Sequence, residues 1–142
     1  MRPTPSQTIG PFFAVALGRE QMVEGGSLVV TGRVLDGERA PVEDAYLELW
    51  DGKRFGRCPT DADGVFSFSA AAPPAGYIAV SVFARGLLQR LATRIYFDVA
   101  AAPDASLVAR PADGSDATGP PRGAWRFDIH LQGPEETTFL AV

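Results

Sequence analysis

The chain has 142 residues, of which 46% are hydrophobic and 21% are charged, and its formal net charge is −4. This length suits one domain with an ordinary core, and the composition argues against a disordered chain and against a basic face that binds nucleic acid. The single cysteine, Cys58, excludes an internal disulfide, and the lack of a long apolar stretch or a secretory signal indicates a soluble cytoplasmic protein.

Alternating apolar and polar residues predict β-strands, in chain order, at 27–36, 45–50, 65–69, 77–85 and 124–132. The clearest alternation is "AWRFDIHLQ" (124–132), in which every second residue is apolar. Turn signals separate the segments at Asp36-Gly37, Asp51-Gly52, Asp63-Gly64 and Pro73-Pro74-Ala75-Gly76. Residues 100–123 are rich in Ala, Pro, Gly and Asp and are predicted to form a long loop. The pattern predicts an all-β fold, a single-domain antiparallel β-sandwich over residues 1–142.

Two features near the middle of the chain have ordinary structural interpretations. The motif "TDADG" (60–64) superficially resembles a calcium-binding loop but lacks the further oxygen ligands and the distal Glu that calcium needs. We interpret it as a tight turn in which an Asp accepts backbone hydrogen bonds. Cys58 lies just before this turn, and no base follows that would support a nucleophilic thiol. We expect a small buried or half-buried side chain there.

Two polar side chains on predicted strands are possible site residues. His130 is the only histidine and shares the polar face of its strand with Arg126 and Asp128. Asp128 could orient it, but no second histidine accompanies it, so we prefer an exposed strand histidine to a catalytic or metal-binding one. Glu48 is either a pocket carboxylate or, more commonly, an edge charge or a salt-bridge partner at the margin of the core. Composition and spacing alone indicate no catalytic constellation.

Several segments carry a family resemblance. The segment "TPSQTIGPFF" (4–13) closely resembles the N-terminal signature of the non-catalytic α subunits of protocatechuate 3,4-dioxygenases, which belong to the intradiol ring-cleaving dioxygenases. Four further blocks are similar to the family in the same order. They are "GRVLDGERAPVEDAYLELWD" (32–51), which looks like the first core hairpin, "FGRCPTDADGVFSF" (55–68), and "VSVFARGLLQRLATRIYF" (80–97) and "RFDIHLQGPEETTF" (126–139), which look like the final strands. The resemblance implies a β-sandwich with an N-terminal arm over residues 1–26.

Catalytic members of this family hold a ferric ion with two tyrosines and two histidines. Their first tyrosine lies on an excursion after the strand that corresponds to "LELW", whereas here Asp51-Gly52 turns directly toward "KRFGR". Their His-x-His pair corresponds to Tyr77 and Ala79, and His130 lies in a different strand. The resemblance therefore implies no cofactor in this chain, with ferric iron expected only in a partner subunit.

In α/β enzymes of this family, the N-terminal segment of the α subunit covers the mouth of the iron-bearing β subunit's pocket. By resemblance, the residues at that mouth are Thr8, Gly10, Pro11 and Phe12. Arg85, in "FARG", matches an arginine that approaches the shared pocket and could favour an anionic substrate such as protocatechuate. Alternatively, the arm buries its aromatic residues at an interface, and Arg85 is a structural ion-pair partner.

The leading hypothesis is an iron-free accessory subunit that completes the pocket of an iron-bearing β-type partner and is inactive alone. The alternative is a stand-alone, non-catalytic, homo-oligomeric β-sandwich that binds a small aromatic acid near Tyr77 and Arg94, the latter at a position where catalytic members place a pocket residue. A third and less favoured hypothesis is a dioxygenase with an unusual site. The chain is short for the family, since residues 14–26 and the loop between Pro73 and Tyr77 are compressed.

Overall fold

The computed structural model describes residues 27–84, 87, 90–114, 120–132, 137 and 139. Within these ranges the chain forms β-strands and one 3₁₀ turn, Ala105–Leu107. The strands are β1 (Leu28–Leu35), β2 (Tyr46–Trp50), β3 (Phe55–Pro59), β4 (Val65–Ala70), β5 (Tyr77–Phe83), β6 (Leu91–Tyr96), β7 (Arg110–Pro111), β8 (Gly123–Arg126) and β9 (Ile129–His130). No helix in the described part of the chain is long and apolar enough to cross a membrane.

The strands form two sheets. The first sheet has the order β4-β1-β8-β7, with β9 also paired to β1, and the second has the order β3-β2-β5-β6. Every pairing within the second sheet is antiparallel. In the first sheet β1 is antiparallel to β4 and parallel to β8 and β9. Two sheets built mainly from antiparallel pairs confirm the predicted all-β sandwich.

The core is built from one face of each long strand. In β5, for example, Ile78, Val80 and Val82 are buried and the residues between them are half-buried, because successive side chains of a strand point to opposite sides of the sheet. Other buried apolar residues are Leu28, Val30, Val34, Leu47, Leu49, Phe66, Phe68, Ile95 and Ile129. Full burial of such a side chain contributes roughly 1.5–3 kcal/mol to folding, so the burial of these alternate side chains is the main source of stability.

The prediction of one continuous strand over 124–132 is wrong. The segment forms β8 and β9, with Phe127 and Asp128 between them. The N–H of Phe127 still donates to the carbonyl of Thr31 at 3.1 Å, but the N–H of Arg33 donates to Asp128 Oδ1 at 3.0 Å. A side-chain carboxylate thus takes the place of a backbone acceptor, and this local hydrogen bond interrupts the ladder.

Gly32 makes the interruption possible. A β carbon at this position would lie 1.7 Å from the carbonyl oxygen of Phe127 and 2.9 Å from the ring of Phe66. The carbonyl that leaves the ladder therefore packs directly on the α carbon of Gly32. Glycine inside a strand commonly marks such a close backbone approach.

Two further expectations need correction. The block 32–51 is not a core hairpin, because β1 and β2 lie in different sheets. The chain crosses between the sheets after a turn at Asp36, whose carboxylate accepts two backbone N–H groups.

The predicted loop over 100–123 is not wholly irregular. It contains the 3₁₀ turn and β7, and Val108 forms a bridge to Tyr96. Short strands of two residues carry too little alternation to be predicted.

Candidate functional site

The candidate site lies on the side of the second sheet that points away from the core, which we call the outer face. Alternation and strand register place on this face Tyr46, Glu48, Trp50, Phe55, Arg57, Tyr77, Ala79, Ser81, Phe83, Ala92, Arg94 and Tyr96. On the neighbouring strands β5 and β6, Tyr77 is directly opposite Tyr96, and Ala79 is directly opposite Arg94. The fold therefore brings together Tyr77 and Arg94, two residues that the sequence analysis singled out.

Tyr77, Arg94 and Tyr96 form a compact group, which we call the Arg94 cluster. The guanidinium carbon of Arg94 lies 4.2 Å from the centroid of the Tyr77 ring. Arg94 Nη1 donates to the hydroxyl of Tyr96 at 3.2 Å. The two tyrosine rings lie 5.3 Å apart at an angle of 41°. A cation over one ring and a hydrogen bond to the other hold the guanidinium in one position on the outer face.

The cluster keeps its positive charge under all ordinary conditions. The hydrogen bond to Tyr96 raises the pKa of Arg94, desolvation by burial opposes this shift, and the Coulombic interactions with Tyr77 and Tyr96 raise the pKa further. An arginine is already charged throughout the physiological range. The half-buried guanidinium therefore presents a fixed cation, with planar donor geometry, beside two aromatic rings. Such a site suits a carboxylate attached to a ring.

The residues at the family's iron-ligand positions do not fit a ferric ion. Ala79 offers no donor atom, and its cross-strand partner is the cation Arg94. Tyr77 has a phenolic oxygen, but its ring lies beneath the same guanidinium, whose charge would repel a metal ion at this distance. Across the described ranges, no group of three or more His, Cys, Asp or Glu side chains could hold a metal.

A tight turn joins β2 to β3 at the point where catalytic family members have their first tyrosine excursion. Asp51 Oδ1 accepts the N–H groups of Lys53 at 2.8 Å and Arg54 at 2.6 Å, and Asp51 Oδ2 lies 3.5 Å from Arg54 Nη1. Gly52 has φ of 94°, a left-handed conformation that glycine adopts without strain. The predicted direct turn at Asp51-Gly52 is confirmed, and the hairpin closes over four residues.

The remainder of the outer face is more aromatic than the sequence analysis indicated. Trp50 is 48% exposed and Phe55 is 42% exposed, although both are large apolar side chains. Arg57 lies over the ring of Phe55 at 5.2 Å and pairs with Glu48 at 3.8 Å. The salt-bridge interpretation of Glu48 is therefore confirmed.

The sequence analysis also missed Tyr96, the hydrogen-bond partner of Arg94. Tyr96 lies two residues after Arg94 along β6, which places both side chains on the same face.

The turn and cysteine interpretations are also confirmed. Asp61 Oδ1 accepts the N–H groups of Asp63 and Val65 at 2.8 and 3.0 Å, which accounts for the "TDADG" motif as a turn. Cys58 is 1% exposed, and its thiol donates to the carbonyl of Ser67 at 3.1 Å. The thiol is therefore an internal side chain of the sandwich.

His130 differs slightly from expectation. It is half-buried on β9 and not exposed, because its backbone is held by Thr137, whose hydroxyl accepts the His130 N–H at 2.8 Å. The nearby carboxylate of Asp128 lies 3.6 Å from Arg126 Nη2 and also accepts the backbone N–H of Arg33. Asp128 thus serves the backbone and an arginine, which does not support a catalytic pair with His130.

Five of the seven predicted site residues lie outside the described residues, namely Thr8, Gly10, Pro11, Phe12 and Arg85. The N-terminal arm over residues 1–26 is likewise outside them. Their roles at a shared pocket remain predictions, and only Tyr77 and Arg94 can be placed.

Comparison with known proteins identifies relatives along the whole chain. No family model matches. The chain is 30% identical to the protocatechuate 3,4-dioxygenase alpha chain of Burkholderia cepacia, in an alignment covering 100% of this chain and 98% of the relative. It is also 30% identical to the corresponding alpha chain of Pseudomonas putida, with 96% and 95% covered. The first alignment extends over 194 positions, so the relative has segments that this 142-residue chain lacks.

Solved structures show the same fold. The chain is similar to the dioxygenase domain of a dioxygenase and carbohydrate-binding protein fusion from Streptomyces sp. SirexAA-E, with a TM-score of 0.64, 26% identity, and 93% and 99% of the two chains covered. It is similar in fold to hydroxyquinol 1,2-dioxygenase from Pseudomonas putida DLL-E4, with a TM-score of 0.54, 20% identity, and 92% and 67% covered. The chain therefore belongs to the protocatechuate 3,4-dioxygenase alpha-chain family within the intradiol dioxygenases.

Proposed function

We propose that this chain is an iron-free accessory subunit of a protocatechuate 3,4-dioxygenase-type enzyme. It would complete the pocket of an iron-bearing β-type partner that cleaves the ring of protocatechuate or a similar dihydroxyaromatic acid. The relatives that match along their full length are alpha chains, which supports this type of subunit over a complete dioxygenase.

The observation that carries the proposal is the pairing of Ala79 with Arg94 on the outer face. A pocket that binds a ferric ion needs convergent anionic or neutral donors. Here one ligand position has no donor, and the other lies beneath a guanidinium. A permanent cation favours an anionic organic group over a metal ion, so the chemistry of ring opening is assigned to the partner.

The predicted arm residues give the chain its role in that pocket. Thr8, Gly10, Pro11 and Phe12 would line its mouth, with Gly10 permitting close backbone approach and Phe12 contacting an aromatic ring. Arg85 would attract the carboxylate of the substrate. These contributions are shape and charge, and none requires a cofactor in this chain.

Co-expression with a β-type subunit tests the proposal. We expect the two chains to co-purify, iron to be found only in the complex or the partner, and ring cleavage to require both chains. Phe12→Ala and Arg85→Ala should raise the KM for protocatechuate, whereas Arg90→Ala should not, because Arg90 is an exposed arginine that donates to Ser81. Near-stoichiometric iron in this chain when it is purified alone contradicts the proposal. Turnover by the partner at the same rate with and without this chain also contradicts it.

The geometry of the Arg94 cluster favours one second candidate function. A guanidinium held over the Tyr77 ring and hydrogen-bonded to the Tyr96 hydroxyl would allow a homo-oligomeric, non-catalytic chain to bind a small aromatic acid without any partner. Calorimetric titration of the chain alone with 3,4-dihydroxybenzoate tests this function. This function is favoured over the accessory role if binding is lost in Arg94→Gln and if the chain forms a homo-oligomer that does not bind β-type subunits.

A further inference from the structure

The first sheet contains an unusual pair of like charges. Arg110 of β7 and Arg126 of β8 are directly opposite each other in an antiparallel pairing. Side chains in that relation lie on the same face within about 5.5 Å at their β carbons, and like charges there are destabilising. Arg126 lies 3.6 Å from Asp128, but no carboxylate within the described residues forms an ion pair with Arg110. Within the described ranges, the arrangement leaves positive charge on Arg110 that no ion pair balances.

A groove of about 540 Å³ lies beside this pair, and we call it the arginine groove. Arg39 also lines the groove, and Asp128 is the only carboxylate among the described residues of its lining. That carboxylate is already occupied by Arg126 and by the backbone N–H of Arg33. The groove is therefore locally cationic in a chain whose overall formal charge is −4.

The rest of the described lining is mixed, with small or apolar residues such as Val108, Pro111 and Ala112 and the polar residues Ser106, His130 and Thr137. The volume falls in the range of roughly 300–1,000 Å³ that is typical of small-molecule sites. Guanidinium groups recognise carboxylates and phosphates through paired hydrogen bonds. Two opposed arginines beside small, apolar and polar groups match a small organic ligand with two negative charges.

We propose that the arginine groove binds a small organic dianion, with one acidic group between Arg110 and Arg126. The bound charge offsets the repulsion between the two arginines and so links ligand binding to the stability of the β7–β8 pair. Arg94 is not among the described residues that line the groove, and the function of the groove does not depend on the proposed accessory role.

Isophthalate, a benzene ring with two carboxylates, is the probe for this site. We expect saturable binding to the full chain in calorimetric titration or in NMR shift perturbation, with resonances of Arg110 and Arg126 affected. Benzoate, which has one carboxylate, should bind about tenfold more weakly, and neutral isophthalamide should not bind.

Single arginine variants locate the binding. Arg110→Gln and Arg126→Gln should each weaken isophthalate binding about tenfold or more. Arg122→Gln removes the same charge from an exposed residue outside the groove and is the control, whereas Arg94→Gln tests the Arg94 cluster, which also suits an aromatic carboxylate. Arg122→Gln should bind as the unchanged chain does, and the binding that is weakened in Arg110→Gln and Arg126→Gln should persist in Arg94→Gln. Binding that depends on Arg94 assigns the anion to the other site and overturns this proposal.

A stability measurement separates ligand binding from a structural role. Without ligand, Arg110→Gln should melt at the same or a higher temperature than the unchanged chain, because the like-charge repulsion is removed. Isophthalate should raise the melting temperature of the unchanged chain and not of this variant. A destabilised Arg110→Gln chain, or no saturable binding of isophthalate at millimolar concentration, overturns the proposal.

Discussion

Gly32→Ala should destabilise the chain by about 3 kcal/mol. The new β carbon would lie 1.7 Å from the carbonyl oxygen of Phe127 and 2.6 Å from its carbonyl carbon. These are backbone atoms, so the clash cannot be relieved by a rotamer change. Overpacking contributes about 1–3 kcal/mol, and weakening the hydrogen bond between Phe127 and Thr31 adds about 1 kcal/mol. The lower chain entropy of alanine in the unfolded state offsets about 0.4–1 kcal/mol.

Urea-induced unfolding, followed by tryptophan fluorescence, measures this loss. Trp125 lies in the core at 3% exposure and should report on the folded sandwich. Gly37→Ala is the matched control, because the nearest atom to its added β carbon is Gln132 Cβ at 3.2 Å, a contact that a shift of a few tenths of an ångström relieves. We expect a change within about 0.5 kcal/mol for the control, and a melting temperature roughly 10 °C lower for Gly32→Ala.

Two results would refute this reasoning. A loss below about 1 kcal/mol in Gly32→Ala would mean that the carbonyl of Phe127 moves aside freely. Equal losses in the two variants would mean that the close approach at Gly32 has no special energetic role. In either case the break between β8 and β9 would be attributed to the Asp128 side chain alone.

Three further outcomes follow from named contacts. Asp51→Ala should lower the free energy of unfolding in urea by about 2 kcal/mol, because two turn N–H groups lose their acceptor; an unchanged midpoint would contradict this. Tyr96→Phe removes the hydroxyl that raises the pKa of Arg94. The stability that a raised pKa contributes is complete below the pKa of the group in the unfolded chain and is lost only above its pKa in the folded chain. For an arginine, both pKa values lie far above neutrality. The stability difference should therefore be constant from about pH 5 to pH 9, and a slope in that window would implicate another group. Cys58 is 1% exposed, so its thiol should react with a disulfide reagent only as fast as the chain opens, and immediate labelling of the folded chain would count against this.

Alternation predicted β1, β2, β4 and β5 but not β3 or β6, and it failed over 124–132, where the backbone hydrogen bonds depart from a regular ladder. The segments 65–69 and 77–85 correspond closely to β4 and β5. In 124–132 the alternation of side chains continues through Phe127, which is buried, although the ladder is interrupted there. The alternation of buried side chains therefore cannot predict that the N–H of Arg33 bonds to the side chain of Asp128 and not to a backbone carbonyl.

The candidate site was only partly predictable, because sequence gives the face of a residue but not its neighbour across the sheet. Tyr77 and Arg94 are 17 positions apart, and only the register of β5 and β6 places them within contact distance. Family resemblance singled out both residues without indicating that one covers the other. The arginine groove was missed for the same reason, since the pairing of Arg110 with Arg126 depends on a two-residue strand inside a predicted loop.

The second sheet separates the determinants of fold from those of chemistry. Its inner residues, such as Ile78 and Val80, fix the strand register through the core, and that register does not depend on the outward residues between them. Ala79 can therefore stand opposite Arg94 in a sandwich whose fold matches that of the dioxygenases. A chain can keep the family's sheet while its outer face exchanges metal donors for a fixed cation. That exchange is the physical basis of our proposal that this chain recognises an anion while a β-type partner opens the ring.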